Sequence, residues 1–372
     1  MAEPLKNSFS LEVIDRIGSA IHAVHPDFPL NAFVGTAAEG FLELELTPRA
    51  RHISHALAAH LPRDRAEALV ILTESLGPPL GEVESDGMAS FLYLPHVFFV
   101  AEHGLPHFEE AMEFQHEVTR RFTAEFSIRT FIDRYPEAAL ARLQVWTGDS
   151  DMHVRRLVSE GTRPRLPWAS RLNRFIEDPE PVIHLLGHLK DDPTEYVRRS
   201  VANNLNDISK DHPDRVVDVL SDWADEPSRS RLIRHALRSL IKLGHPGALG
   251  LLGYGSASRL RADVVDIEPG SPAIGESVTI AVTLTNPTPE PEPALVDLRI
   301  HFVKANGGTS PKVFKMKETT VGPGEAESMS KKISLAQLTT RTHYPGSHRV
   351  EVLINGAGYE AGVFELRPAP NE

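Results

Sequence analysis

The chain has 372 residues, of which 41% are hydrophobic and 24% are charged, so a largely disordered protein is excluded and more than one core is expected. It contains no cysteine, which excludes disulfides, thiolate metal sites and a cysteine nucleophile. The net charge of -12 argues at first sight against a nucleic-acid partner. Residues 129–258 differ, since they hold 19 Lys and Arg against 18 Asp and Glu, and 16 of these cations are arginines, which suit phosphate oxygens.

The first residues of the chain show no secretory signal pattern. Met1–Asn7 lack a basic region followed by an apolar stretch, and no run approaches the roughly 18 apolar residues of a membrane span. We therefore expect a soluble, cytoplasmic protein with no membrane partner.

Apolar residues recur at helical spacing in several stretches of the first 132 residues. This spacing predicts amphipathic helices over Leu11–Ile21, Arg51–Leu61 and Glu109–Ile132. Between the second and third of these, the apolar run Phe91–Phe99 suits a strand or a buried helix equally well.

The string Val-Arg-Arg recurs in the middle of the chain, at Val154–Gly161 and Val197–Asn204, with a looser version at Ile233–Leu240. The first arginines of the three strings are 43 and 36 residues apart, the period of HEAT-like helix pairs. An aspartate precedes each of the first two by six residues, the offset of the inter-repeat Asp and Arg ladder of HEAT repeats. We therefore predict a HEAT-like α-helical solenoid over residues 1–258, with a structural role for Arg155 and Arg198.

The helical period stops at Leu252–Ser258, and apolar residues alternate with polar ones from there on. Strands are predicted over 278–285, 296–303, 312–320, 328–335, 348–354 and 361–366, within roughly seven short strands separated by Gly, Pro and Asn turns. This pattern predicts an immunoglobulin-like β-sandwich over residues 259–372. The fold class is therefore multidomain α and β, a solenoid followed by a sandwich.

Familiar metal and nucleotide motifs are absent from the sequence. His184 and His188 have the spacing of HExxH, but Leu185 occupies the place of its glutamate. No P-loop, Rossmann or serine-hydrolase signature occurs. We expect neither a metal nor an organic cofactor, and a helical solenoid of this kind is most often a binding scaffold.

Two longer strings, His153–Trp168 and Glu195–Pro213, resemble the AlkC family of DNA glycosylases, relatives of AlkD within the HEAT-like-repeat superfamily. The similarity extends to Arg121–Phe131 and Arg234–Ala248, and some family members also carry a C-terminal immunoglobulin-like domain. The resemblance implies excision of cationic alkylated bases, 3-methyladenine and also 3-methylcytosine, from duplex DNA. It further implies that the base stays substantially within the duplex, without full base flipping.

Three acids match the family pattern and are the catalytic candidates: Glu125, Glu160 and Asp207. A carboxylate beside the deoxyribose can stabilise a sugar cation and hold the attacking water, as in glycoside hydrolysis. Alignment of the Val-Arg-Arg strings makes Asn203 the equivalent of Glu160, with Asp207 one helical turn beyond, so both acids are expected to face one groove. Taken without the resemblance, they fit helix capping or pairing with arginines equally well.

DNA-binding and lesion-binding side chains are expected beside these acids. By resemblance Trp168 contacts the sugar and backbone of the lesion nucleotide, while its alternative role is core packing. Candidate phosphate ligands, each of which can also be an ordinary solvated group, are Arg156, Arg163, Arg165, Arg199, Asn203, Asn204 and Lys210. In the sandwich, a DNA clamp or a protected sheet edge is expected from Lys312, Lys315, Lys317, Lys331 and Lys332.

The sequence therefore predicts a monofunctional DNA-alkylbase glycosylase that acts as a monomer on duplex DNA containing alkylated bases, with water as the nucleophile. Two non-enzymatic alternatives remain open. One is a DNA-binding module without catalysis, and the other is a HEAT scaffold that binds another protein.

Overall fold

The computed structural model describes residues 5–84, 87, 89–255, 258–338 and 341–369. Within these residues, sixteen α-helices extend to Leu251, and seven β-strands follow from Arg261. This order confirms the predicted helical region followed by a β-domain. The predicted transition at Leu252–Ser258 includes residues 256 and 257, which lie outside the described residues.

The described residues form two compact units. One comprises those of Met1–His212 with Ser228–Ala236, and the other those of Pro213–Pro227 with Leu237–Glu372. The division into a solenoid domain of residues 1–258 and a sandwich domain of residues 259–372 stays a prediction.

The helices of the first unit are α1 (Leu11–Val24), α2 (Leu30–Ala38), α3 (Leu46–His60), α4 (Arg65–Glu74), α5 (Leu94–His103), α6 (Phe108–Thr119), α7 (Ile128–Arg134), α8 (Pro136–Trp146), α9 (Met152–Gly161), α10 (Asn173–Glu177), α11 (Glu180–Leu189), α12 (Glu195–Ile208) and α14 (Ser230–Ala236). Those of the second unit are α13 (Pro213–Trp223), α15 (Arg238–Leu243) and α16 (Pro246–Leu251). Within the part of the chain that the structure describes, no helix is long and apolar enough to span a bilayer.

The Val-Arg-Arg strings lie on helices that contact one another in succession, α9 with α12 and α12 with α14. In α9 the buried apolar residues Val154, Leu157 and Val158 recur at helical spacing, and in α12 Val197 and Val201 do the same. Each helix therefore buries one apolar stripe against its neighbours, as the repeat pattern predicts.

An arginine from one repeat is held by an aspartate from the next. Arg155 on α9 donates from Nε and Nη2 to both carboxylate oxygens of Asp192, at 2.6 and 3.1 Å. Asp192 also accepts from the backbone N–H of Thr194 at 2.9 Å, where α12 begins. The predicted ladder is thus present between these two repeats, and it fixes the start of α12 relative to α9.

Two segments of the first 132 residues differ from the sequence pattern or resolve an alternative that it left open. The pattern over Glu109–Ile132 is two helices rather than one, because α6 ends at Thr119 and α7 begins at Ile128. The Oγ1 of Thr119 accepts from the N–H of Ala124 at 3.0 Å and stabilises the bend between them. The run Phe91–Phe99, left open by its spacing, is helical.

The strands form two antiparallel sheets. They are β1 (Arg261–Glu268), β2 (Ser277–Thr285), β3 (Glu292–Val303), β4 (Thr309–Val321), β5 (Ala326–Ser334), β6 (Gly346–Ile354) and β7 (Ala357–Leu366). The strand orders are β1-β2-β5 and β4-β3-β6-β7. Along β2 every second residue is buried, and these side chains pack with those of β3 and β6 in one apolar core.

The five lysines singled out in the sequence lie on two edge strands, three of them on β4 and two on β5. Lys317 on β4 forms an ion pair with Glu327 on β5. This placement is compatible with both roles left open for these lysines, the clamp and the protected sheet edge.

Candidate active site

The three candidate acids come from three segments that meet at the end of α9. That helix ends at Gly161, where a Cβ atom would lie 2.6 Å from Cγ2 of Ile128 on α7. Because only glycine fits so closely, the last turn of α9 reaches the segment before α7, which carries Glu125. The packing of α12 on α9 supplies Asp207.

Glu160 is buried, with only 7% of its side chain exposed. Its Oε1 accepts from Nη1 of Arg163 at 2.6 Å, and its Oε2 accepts from Oγ of Ser200 on α12 at 2.6 Å. Arg156, one turn earlier on α9, places Nη2 3.7 Å from Oε2. The carboxylate is therefore held from both sides by groups that favour its charged form.

Arg163 joins Glu160 to the second acid. While Nη1 bonds Glu160, its Nε donates to Oδ2 of Asp207 at 2.8 Å. Asp207 is only 3% exposed in its side chain, and its Oδ1 accepts from Nζ of Lys210 at 2.8 Å. One guanidinium thus fixes the separation of two buried carboxylates.

Glu125 is attached to the same cluster through Arg156. The Nη1 of Arg156 donates to Oε2 of Glu125 at 3.2 Å, and the Oγ1 of Thr123 donates to the same oxygen at 3.1 Å. The guanidinium of Arg156 lies over the ring of Tyr196, 5.0 Å from its centroid. Acids and cations therefore alternate along one connected cluster, in the order Glu125, Arg156, Glu160, Arg163, Asp207 and Lys210.

Charge in this cluster shifts the pKa of its members. Burial alone would raise the pKa of Glu160, but the positive charges of Arg156 and Arg163 and the hydrogen bond from Ser200 lower it below its usual value. Burial likewise opposes the charge of Arg156, yet the nearby carboxylates raise its pKa. Glu160 is consequently an anion at neutral pH.

A buried arginine holds the loop that carries Arg163 and Trp168. The Nη1 of Arg129 on α7 donates to the carbonyl oxygens of Gly161 and Arg163, at 3.1 and 2.7 Å. Desolvation by burial lowers the pKa of Arg129 to about 10, so it still carries its charge at neutral pH. The loop after α9 is thereby fixed to the helix beneath it.

Trp168 lines a cavity together with two of the three acids. Its side chain is 83% exposed, and its φ of 64° is in the left-handed region that residues other than glycine rarely adopt. The cavity has a volume of about 330 Å³ and is lined partly by Glu125, Glu160 and Arg163. Exposure of so large an aromatic ring on a strained backbone is typical of a ligand-contacting position, and it does not fit core packing.

The candidate phosphate ligands differ in what they contact. Arg165 forms a two-bonded ion pair with Asp211, at 3.0 and 2.7 Å. Arg199 is exposed and makes no ion pair with any described residue. The Oδ1 of Asn203 lies 2.9 Å from Nε2 of His235. Of these, Arg199 has the most readily available charge.

Asn204 is placed differently from the prediction that it binds phosphate. It is fully buried, and its Nδ2 donates to the carbonyl oxygen of Ser159 at 2.7 Å and to Oγ1 of Thr162 at 3.0 Å. A side chain without exposed surface has no access to a phosphate. Its contacts fix α12 to the end of α9, which is a positioning role.

Three neighbours of the acids escaped sequence reasoning: Ser200, Thr123 and Tyr196. Ser200 aligns with Leu157 in the repeated strings, so a polar residue occupies a position that the pattern predicts to be apolar. This mismatch is the sequence signal by which Ser200 could have been found. Thr123 and Tyr196 have no comparable signal, because both lie at half-buried positions where such residues are ordinary.

Among the described residues, Glu113, His116 and Glu117 are grouped closely enough to bind a metal ion. Glu117, however, accepts hydrogen bonds from Arg120 at 2.9 Å and Arg121 at 2.6 Å. Burial would raise the pKa of Glu117, but these hydrogen bonds lower it. Two guanidinium groups already neutralise the carboxylate, so this group is a poor cation site.

Comparisons with known proteins identify the family of the chain. The model of the family described as "DNA alkylation repair enzyme" matches residues 101–240, and that of the "YhaZ, C-terminal Ig-like domain" matches residues 261–368. The uncharacterized protein YhaZ of Bacillus subtilis (strain 168) is 36% identical over 364 residues, which cover 97% of this chain and 99% of YhaZ.

A solved structure is similar over the whole chain. It is that of the Pseudomonas fluorescens alkylpurine DNA glycosylase AlkC bound to DNA containing an abasic site analog, which is 37% identical with a TM-score of 0.90. The match covers 98% of this chain and 100% of AlkC. The chain therefore belongs to the AlkC-type family of DNA alkylation repair proteins that carry a C-terminal immunoglobulin-like domain.

Proposed function

We propose that this protein is a monofunctional DNA glycosylase that hydrolyses the N-glycosidic bond of 3-methyladenine and 3-methylcytosine in duplex DNA. The observation that carries the proposal is the gathering of Glu125, Glu160 and Asp207 in one hydrogen-bonded cluster, of which Glu125 and Glu160 line a cavity. The family to which the chain belongs supports it, since AlkC is by name an alkylpurine DNA glycosylase.

The alkylated base is a good leaving group. Alkylation at N3 puts positive charge on the base, so the base departs without being protonated, and the developing charge passes to the sugar. An ionised carboxylate beside the sugar stabilises that cation and orients the attacking water. The lowered pKa of Glu160 keeps it in the ionised form that this role requires.

Water rather than a lysine is proposed as the nucleophile. The lysine of the acid cluster, Lys210, has its Nζ 2.8 Å from Oδ1 of Asp207. A lysine ammonium bound to a carboxylate has no lone pair with which to attack C1′ of the sugar. The reaction as proposed needs no metal and no organic cofactor.

Duplex binding is proposed to rest on Arg165, Arg199, Asn203 and Lys210 as phosphate ligands, and on Trp168 as the contact to the lesion nucleotide. Arg199 is the simplest case because its charge is exposed. The lysines of β4 and β5 are proposed as a further DNA contact, a clamp. The base is proposed to remain substantially in the duplex until its bond breaks, in a protein that acts as a monomer.

The test is release of free base from duplex DNA that contains 3-methyladenine. The wild type should release base above the spontaneous rate, and Glu160→Gln and Asp207→Asn should each lose about 2 to 4 kcal/mol of transition-state stabilisation. Glu195→Gln is the matched control, since Glu195 on α12 pairs with Arg198 and Arg231 away from the acid cluster, and it should keep wild-type rates.

Other outcomes assign other functions. A wild type that binds the duplex with a steep salt dependence but releases no base is a DNA-binding module. A wild type with no salt-dependent duplex affinity is a protein scaffold. Wild-type rates of base release in both Glu160→Gln and Asp207→Asn would show that these two acids have a structural role only.

A further inference from the structure

The loop between α9 and α10 carries Trp168 on a strained turn. The N–H of Ala169 donates to the carbonyl oxygen of Leu166 at 3.4 Å. Between them, Pro167 and Trp168 are the second and third residues of the turn, and Trp168 has a φ of 64°. A proline followed by a residue with positive φ is the pattern of a type II β-turn, whose third position normally takes glycine. A tryptophan at this position is unfavourable by itself, so the surrounding structure must hold the turn in place.

Two links close the neck of this loop on either side of the turn. The N–H of Leu172 donates to the carbonyl oxygen of Pro164 at 3.1 Å. The side chain of Arg129 on α7 forms the second link, because its Nη1 donates to the carbonyl oxygen of Arg163 at 2.7 Å and its Nη2 to that of Ser170 at 2.5 Å. Arg163 precedes the turn and Ser170 follows it, so one guanidinium joins both sides of the neck.

Arg129 is held by backbone oxygens alone. It is 2% exposed, and its three hydrogen bonds go to the carbonyl oxygens of Gly161, Arg163 and Ser170. Within the described part of the chain, its Nε has no hydrogen-bond partner and no carboxylate forms an ion pair with it. Burial of a guanidinium without a carboxylate partner is unfavourable. Such groups are typical of places where a particular geometry is maintained at the expense of stability.

We propose that Arg129 is a positioning residue for base release, which acts through Trp168 by keeping the neck of the loop closed and the turn formed. The inference rests on the proposed glycosylase function, in which Trp168 contacts the lesion nucleotide. Arg129 itself has no access to DNA, since it is buried. Without its guanidinium the neck opens, the backbone of Trp168 relaxes to a negative φ, and the ring leaves the position from which it meets the nucleotide.

Arg49 on α3 offers a matched control, because it makes the same kind of contacts elsewhere in the helical unit. It is 5% exposed, and it donates to the carbonyl oxygens of Lys6, Phe9, Leu42 and Leu44, which precede α1 or connect α2 to α3. Removal of either guanidinium leaves carbonyl oxygens without a donor and affects stability. Only removal of Arg129 opens the loop that carries Trp168.

Limited proteolysis of the full-length protein tests whether Arg129 closes the loop. The loop contains two cleavage sites for trypsin, after Arg165 and after Arg171. Cleavage requires the loop to open and to leave its hydrogen bonds. At a temperature where both variants are folded, Arg129→Met should be cut at these sites about tenfold faster than the wild type, and Arg49→Met should not. Equal rates in the wild type and Arg129→Met overturn the proposal.

A second variant serves if Arg129→Met fails to fold. Arg129→Lys keeps the charge but has one nitrogen in place of the two that bond opposite sides of the neck. Trypsin should cut this variant faster than the wild type and more slowly than Arg129→Met. Protection equal to that of the wild type in Arg129→Lys also counts against a clamp that depends on two nitrogens.

Base release at saturating duplex DNA tests whether Arg129 acts through Trp168. Arg129→Met and Trp168→Ala should each slow single-turnover release of 3-methyladenine about tenfold, and Arg49→Met should keep the wild-type rate. The double variant of Arg129→Met and Trp168→Ala should be no slower than Trp168→Ala, because loss of the ring already removes what Arg129 positions. Losses that multiply to about a hundredfold in the double variant overturn the proposal, as does a wild-type rate in Arg129→Met.

Failure of this inference is distinguishable from failure of the glycosylase. If the wild type releases base and Arg129→Met does so at the same rate, the positioning role is overturned and the glycosylase stands. If the wild type releases no base, the glycosylase is overturned together with any role of Arg129 in base release. Faster cleavage of Arg129→Met by trypsin would then still show that Arg129 closes the loop.

Discussion

Helices α9 and α12 begin with the same Val-Arg-Arg string and pack against each other, but they differ in chemistry. Their first arginines make equivalent hydrogen bonds to the backbone carbonyl oxygen six residues earlier. Arg155 donates to that of Asp149, and Arg198 donates to that of Asp192. Their second arginines differ. Arg156 is enclosed between Glu125 and Glu160, whereas Arg199 is exposed.

The same divergence occurs at the position four residues after the second arginine. On α9 it is Glu160, held by Arg163 and Ser200, and on α12 it is Asn203, which contacts His235. The repeat thus supplies a framework, and a few side chains on that framework turn one copy into a site.

The largest effect is expected when Glu160 on α9 is replaced by asparagine, the residue type that α12 carries at the equivalent position, Asn203. Glu160→Asn removes the buried negative charge, so single-turnover release of 3-methyladenine should slow about 10²- to 10³-fold. Asn203→Ala on α12 should change the rate less than about threefold. Similar losses in the two variants would show that the repeats are not chemically distinct.

The next effect concerns the first arginines and the stability of the helical unit. Arg155→Ala leaves Asp192, only 2% exposed in its side chain, as a buried charge without its partner, and should cost about 3 kcal/mol of unfolding free energy. Arg198→Ala removes a more exposed pair with Glu195 and should cost less than about 1 kcal/mol. Urea titration of the two variants measures their unfolding free energies. Equal losses of stability would show that the Arg155–Asp192 pair contributes no more than the exposed pair.

A smaller effect is expected at Ser200, whose hydroxyl favours the ionised form of Glu160. Because the carboxylate must be charged to stabilise a sugar cation, the rate falls as pH drops through its pKa. Ser200→Ala raises that pKa, so the acidic limb of the pH–rate profile should move to higher pH, with about a tenfold loss at low pH.

Two matched variants isolate this effect. Ser200→Thr keeps the hydroxyl and should restore the profile. Ser209→Ala removes another buried hydroxyl, at the C-terminal end of α12, which donates to the carbonyl oxygen of Asn206, and should leave the profile in place. An unshifted profile in Ser200→Ala would make Ser200 a packing residue only.

The smallest effect is expected at Arg199. If its exposed charge contacts a phosphate, Arg199→Gln should reduce the salt dependence of duplex affinity by about one ion and leave the rate of base release at saturation unchanged. Filter binding over a range of salt concentrations measures the slope. An unchanged slope would show that Arg199 does not contact a DNA phosphate.

The sequence predicted much of this framework because repeats and alternation are local patterns. The spacing of the Val-Arg-Arg strings anticipated the contact of α9 with α12, and alternation anticipated six of the seven strands, with β1 unassigned. The break between α6 and α7 was missed, since a helical pattern continues across it and the turn depends on Thr119.

The site was predictable only in part. The resemblance nominated Glu125, Glu160 and Asp207, but the way Arg156 and Arg163 bridge them depends on contacts 31 and 44 residues apart in the chain. The full burial of Asn204 likewise follows from packing between two helices. No local pattern carries that information, because burial is set by the neighbouring helix.

Glu160 is proposed to stabilise positive charge on the sugar. The most direct test of this role compares the affinity of the protein for two duplexes, one with a cationic pyrrolidine in place of the lesion sugar and one with a neutral tetrahydrofuran. The wild type should bind the cationic duplex more tightly, and Glu160→Gln should lose most of that preference. Equal affinity of the wild type for the two duplexes would contradict the claim.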